Sequence, residues 1–340
     1  MIARAAVDNR LVRRLLLGVL IAGAILIGYL IAVRPEDTPL ILGAALGSMI
    51  VVATFIKPVY GLYSLVAAAF AEALFMLGSA SAARLLGFLV FGAWLAHSLV
   101  NGRFRIIVPS QGWFAAAFIA WGLTSALWAM DTQRLTTALL LLLQLLALYI
   151  VVTSLVNSVK SVQIIMAIMV AVNLAVALAA IASVLGGELV EGRVDLSQIV
   201  GGDSNTQASY LLPSATLLMV LFSHRARSVQ KWLLLLGFSV IALAIMATSS
   251  RGALISLVAI VMLGVIIDHK LWQVALPGLL VGGLATLFLP QTFADRLQAL
   301  VTLSDRAGGR IGIWLVALRI IPSHPILGVG LGNFETAFDR

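Results

Sequence analysis

The chain has 340 residues, 61% of them hydrophobic and only 11% charged. Soluble globular chains are about a quarter charged, so this composition excludes a soluble domain and points to a polytopic membrane protein. No cysteine is present, which excludes disulfides, thiolate metal sites and cysteine nucleophiles. The net charge of +8 and pI of about 10.4 go with topology and anionic lipid, not nucleic acid, because no aromatic-basic motif accompanies them.

In chain order, Arg4, Arg10, Arg13 and Arg14 precede an apolar run from Leu15 to Val33. The run is longer than a secretory h-region and lacks a small-x-small cleavage site, so it reads as an uncleaved first helix. Further spans are expected at 38–56, 59–78, 83–100, 112–130, 135–153, 162–185, 208–223, 232–248, 252–267 and 271–289. The fold class is therefore all-α, a transmembrane bundle of about eleven helices at about 20 residues each.

Lys and Arg set the orientation. With the N-terminus inside, the inner segments hold Arg4, Arg10, Arg13, Arg14, Lys57, Arg103, Arg105, Lys160, Arg225, Arg227, Lys231 and Lys270. The outer loops before the last span hold only Arg34, Arg84, Arg134, Arg193 and Arg251. Two outer segments are long, 186–207 and the stretch from Pro290 onward. Function concentrates in such loops on a rigid scaffold, so residues 1–289 are expected to form the bundle and 290–340 a catalytic loop. Within that loop Ile311, Leu315, Leu318 and Ile321 share one face of a helix. A short surface helix is expected at 310–321, ended by Pro322 and Pro325. Nothing at Arg340 reads as a terminus, so a further C-terminal return span is expected to be missing.

Several residues could carry chemistry. His324 lies in Ser-His-Pro just past the surface helix. An imidazole can take a proton from a hydroxyl at neutral pH; the alternative is a loop histidine with no role. Arg193, Arg251, Arg296, Arg306 and Arg310 gather on the outer side, and guanidinium forks match phosphate oxygens. Arg251, between two apolar runs, faces either a cavity or the membrane interface. Asp203 and Asn205 could hydrogen-bond a sugar or cap the following helix. Glu72, expected inside the third span, reads as a proton relay or ion site, or as a satisfied bundle residue. Gly328, Gly330 and Gly332 form G-x-G-x-G, which is not the dinucleotide fingerprint; they would allow positive φ or close backbone approach. No metal-ligand cluster is visible in the sequence, so arginine is expected to do the charge work of a metal.

Ser249 to Ala253 (SSRGA), Gly308 to Trp314 (GGRIGIW) and His324 to Phe334 (HPILGVGLGNF) together resemble the O-antigen ligase and O-antigen polymerase family of bacterial envelope enzymes. Gly201 to Pro213 (GGDSNTQASYLLP) and Ser125 to Asp131 (SALWAMD) resemble further patches of that family. The resemblance implies an inverting, metal-independent glycosyltransferase without cofactor in the bacterial inner membrane, acting on the periplasmic face. The implied donor is an undecaprenyl-diphosphate-linked glycan. The implied acceptor is lipid A-core for a ligase, a second repeat unit for a polymerase, or a protein. His324 would be the general base, with Arg251 and Arg310 stabilising the departing diphosphate. Arg193, Asp203, Asn205, Arg296, Arg306, Gly328, Gly330 and Asn333 would line the substrate site. A transporter or a non-catalytic scaffold is the reading from another class. Against a transporter, the polar residues cluster at one face and not at the bilayer midplane.

Overall fold

The computed structural model describes residues 36, 38–72, 76–77, 80–100, 109–187, 189–190, 193–194, 197, 200–225, 228–274, 276–278 and 310–338. The expected first span, most of the expected eleventh, Arg296 and Arg306 lie outside the described residues.

The described chain is helical apart from two minimal hairpins. In order it runs α1 (Thr38–Ile56), α2 (Pro58–Phe70), β1 (Met76–Leu77), β2 (Ala80–Ser81), α3 (Ala82–Val100), α4 (Ser110–Thr124) and a 3₁₀ turn at Ser125–Leu127. Then follow α5 (Thr132–Leu155), α6 (Val159–Leu185), β3 (Leu189–Val190), β4 (Arg193–Val194), α7 (Ser204–Arg225), α8 (Ser228–Ala247) and α9 (Arg251–Ile267). After a 3₁₀ turn at His269–Leu271 come α10 (Arg310–Ile320), a 3₁₀ turn at Ile321–Ser323 and α11 (Phe334–Phe338).

Polar residues set many of these boundaries. Asp131 caps α5 by accepting from the N–H groups of Gln133 and Arg134, and Ser158 caps α6 through the Ser161 N–H. Pro58 opens α2, where its missing N–H costs nothing. Four described helices are long and apolar enough to cross a membrane: Ala82–Val100, Thr132–Leu155, Val159–Leu185 and Val229–Ala247. The expected third span, 59–78, is corrected to a helix of 13 residues, only about 20 Å long against a hydrocarbon core of about 30 Å. Its apolar composition runs on, but the chain leaves the helix at Ala71 with φ −135° and ψ 42°. Glu72 therefore follows the helix instead of lying within it.

Two apolar clusters hold the bundle. The larger joins α6, α7, α8 and α9 through residues such as Ala177, Leu211, Ile241 and Leu257. Val194 and Val200, from the long segment after α6, are buried in it as well, so that segment is anchored in the core. The smaller cluster joins α2, α3 and α5 through Leu62, Leu65, Val90, Trp94 and Val151. A buried amide ties α6 to α7: Asn173 Nδ2 donates to the Tyr210 carbonyl and to Ser214 Oγ, both at 2.9 Å. Such interhelical bonds act as glue where both helices are otherwise apolar.

Candidate functional site

Most of the described residues singled out in the sequence fall into two structured places. The first is where α7 and α9 begin. Gly201 and Gly202 turn the chain with φ of 77° and 70°, a region open to glycine at no steric cost. Asp203 then caps α7: its Oδ1 accepts from the Thr206 N–H at 2.9 Å. That backbone bond, then the Thr206 hydroxyl and the Asn205 amide, hold the carboxyl below its ordinary value. Gln207, nearly fully buried, donates back to the Gly202 carbonyl at 2.9 Å and stiffens the turn.

Asn205 links this turn to the next motif. Its Oδ1 accepts from Ser250 Oγ at 2.7 Å. Ser250 is in turn the N-cap of α9, accepting from the Ala253 N–H. Ser249, just before it, has φ 53°, a left-handed conformation that costs a non-glycine residue roughly 1–2 kcal/mol. Arg251, half-buried, is the first residue of α9. The Asp203–Asn205 turn and the SSRG turn thus form one unit, with two helix N-termini side by side. Helix N-termini attract anions, as the Arg251 guanidinium does, although a cation at this end lies against the helix dipole.

The second place is built by the C-terminal string. α10 presents Ile311, Trp314, Leu315 and Leu318 to the outside as one apolar stripe, while Val316, Ala317 and Ile320 are half-buried. A helix at 310–320 agrees with the range expected for it, 310–321. Pro322 follows in the 3₁₀ turn, and then the half-buried His324. Ser323 Oγ lies 3.0 Å from His324 Nδ1 and donates to the Ile320 carbonyl at 2.8 Å. The Gly328 N–H donates to the His324 carbonyl at 3.2 Å, closing the loop behind it.

Beyond His324 the string lies down on the turn between α4 and α5. Gly328, Gly330 and Gly332 have φ of 65°, 96° and 74°. At two of them there is no room for a side chain either: a Cβ would lie 3.0 Å from Ala129 Cα at Gly330 and 2.8 Å from the Arg134 carbonyl oxygen at Gly332. Both glycine functions read from the sequence are therefore in use. Asn333 is fully buried. Its Oδ1 accepts from the Asp131 N–H at 2.6 Å, and its Nδ2 donates to the carbonyls of Asp131 and Leu331 at 3.2 and 2.9 Å. The Leu331 N–H donates to Ser125 Oγ at 3.1 Å. Arg134 and Glu335 pair at the rim. An open groove of about 660 Å³ runs beside this contact, lined by Asp131, Gln133, Arg134, Thr137 and Glu335 among others.

The structure thus gathers Asp203 and Asn205 with the Ser250–Arg251 turn, and seats the His324–Asn333 string on Ser125–Asp131. Arg193 lies in β4, where it pairs in register with Val190, and Arg310 opens α10. Two things were missed in the sequence. The SALWAMD patch carries no side chain that suggested chemistry, yet it is the seat of the C-terminal string. Asn333, expected at the substrate, spends its amide on backbone. A partner 202 residues away leaves no local signal; the recurrence of both patches in one family resemblance is the only trace. No curated protein and no solved structure matches the chain. Residues 236–340, a stretch that takes in the SSRG turn, His324 and the glycine string, match the family model described as O-antigen ligase.

Proposed function

We propose that the protein is a membrane glycan transferase that moves a polysaccharide from an undecaprenyl-diphosphate carrier to the hydroxyl of lipid A-core, as an O-antigen ligase does. The observation that carries this reading is the family match over 236–340, which contains the one histidine standing at the head of a tightly seated loop. In the bacterial inner membrane, with the N-terminus in the cytoplasm, the site would face the periplasm.

The step is a direct displacement. The acceptor oxygen attacks the anomeric carbon as its proton passes to His324. The bond from that carbon to the diphosphate oxygen breaks, and the diphosphate leaves with the electron pair. Attack opposite the leaving group inverts the anomeric centre. Arg251 and Arg310 stabilise the charge gathering on the diphosphate, with Arg193, Arg296 and Arg306 holding the donor. The reading needs no metal or cofactor, since guanidinium groups supply the positive charge. A polymerase of the same family would use the same donor chemistry with a second glycan as acceptor.

The test is complementation of a strain lacking its own ligase. Wild type should restore polymer on lipid A-core and His324→Ala should not. Restoration by both would remove His324 from the mechanism. No ligation, but an altered length of carrier-linked glycan, would favour the polymerase.

A further inference from the structure

We propose that Ser323 is a positioning residue that fixes the proton of the His324 ring on Nδ1, so that Nε2 is the atom that receives the acceptor proton. The proposal rests on His324 being the base and specifies which of its two nitrogens acts.

A serine hydroxyl has one proton and two lone pairs. Ser323 Oγ makes two contacts, to the Ile320 carbonyl at 2.8 Å and to His324 Nδ1 at 3.0 Å. If the hydroxyl proton goes to the carbonyl, the second contact can form only with hydrogen on Nδ1. The reverse order would send the hydroxyl proton to Nδ1 and leave the carbonyl without this donor.

The chemistry of the two partners decides between these. A carbonyl can only accept, so its 2.8 Å contact needs the hydroxyl proton, whereas Nδ1 can take either role. The distances agree: 2.8 Å is the usual length of O–H···O, and 3.0 Å that of N–H···O. The neutral ring therefore carries hydrogen on Nδ1. Its Nε2 lone pair has no hydrogen-bond partner among the described residues and is free to accept.

The consequence is chemical. When the acceptor hydroxyl gives its proton to Nε2, the ring becomes a cation with Nδ1–H still held by Ser323 Oγ. No group has to rotate, and the lone pair that selected the tautomer also stabilises the charge. Which nitrogen acts as base is generally set by the bond the other nitrogen makes. Here a residue adjacent in sequence makes that bond, through the helix end it caps.

The experiment uses the full chain in lipid nanodiscs with ¹⁵N-labelled imidazoles. The chain has four histidines, and a His324→Gln difference spectrum identifies the signal. With the ring neutral, wild type should show protonated Nδ1 and unprotonated Nε2. Ser323→Ala should move population to the Nε2–H form and lower turnover roughly 5- to 10-fold, the worth of one ordinary hydrogen bond, with KM for the donor unchanged. Ser323→Thr keeps the hydroxyl and should keep both the spectrum and the rate. Protonated Nε2 in the wild-type ring would overturn the proposal, and so would a Ser323→Ala protein with unaltered tautomer and rate. The spectrum reads the tautomer independently of the His324→Ala complementation, which reads whether the ring is the base at all.

Discussion

Asn333 and Asp131 face each other as two peptide units would in a strand ladder. The Asp131 N–H donates to Asn333 Oδ1 at 2.6 Å, and Asn333 Nδ2 donates back to the Asp131 carbonyl at 3.2 Å. The side-chain amide mimics backbone and locks the C-terminal string to the start of α5. Replacing it by alanine leaves a buried N–H and two carbonyls without these partners, at about 1–3 kcal/mol for each group left unsatisfied. Asn333→Asp should be at least as damaging, since a carboxylate accepts from the N–H but sets an oxygen against both carbonyls. Limited proteolysis after α10 reports on the lock directly: both variants should be cut faster than wild type.

The three glycines of the string should not tolerate alanine equally. All three have positive φ, so each substitution carries some backbone strain. A Cβ at Gly328 meets nothing within 4 Å, whereas at Gly332 it would lie 2.8 Å from a backbone oxygen that cannot move aside. Thermal unfolding in detergent should place Gly328→Ala closest to wild type and Gly332→Ala furthest below it. Equal losses would mean that φ alone matters and that the close approach does not.

Ser250 and Asn205 join the starts of α9 and α7. A double-mutant cycle on Ser250→Ala and Asn205→Ala should give a coupling of about 0.5–1.5 kcal/mol, as for one neutral hydrogen bond. Ser250→Ala alone should cost more than Asn205→Ala, because it also removes the cap of α9, worth about 1 kcal/mol.

Asp203 should make the same turn sensitive to acid. Its carboxyl is held below the ordinary value of 3.8, chiefly by the Thr206 N–H. A depressed carboxyl contributes stability above its unfolded value and loses it as pH falls through the folded value. Asp203→Ala should therefore be less stable than wild type near neutrality, and the gap should close below about pH 3.8. Denaturation of both proteins across that range measures it; a gap that stays constant would mean that the charged form is not what caps α7.

Much of the bundle was legible in the sequence because hydropathy is a property of about 20 consecutive residues, and a lipid-facing helix needs little else. Among the described residues, α1 and α3 to α9 fall on expected spans, most with ends within three residues. Two expected spans end early: the helix of 112–130 stops at Thr124, and that of 59–78 at Phe70. Nothing in Ala-Ala-Phe-Ala-Glu announces that α2 ends at Phe70, since Ala71 and Glu72 are good helix formers and the stop is set by tertiary context. The site divides in the same way. The glycines and the Asp203 cap follow from conformational rules that act within a few residues. The docking of Asn333 on Asp131, of Leu331 on Ser125 and of Glu335 on Arg134 crosses about 200 residues and has no period or spacing to read.

The most direct test of the central claim is transfer in vitro. Membranes holding the full chain are supplied with undecaprenyl-diphosphate-linked glycan and lipid A-core, and the initial rate of ligation is compared for wild type and His324→Ala. Loss of a general base should lower the rate about 10²- to 10⁴-fold, while thermal unfolding of the variant stays at the wild-type temperature and donor binding is kept. A folded His324→Ala protein ligating within a few-fold of wild type would contradict the account.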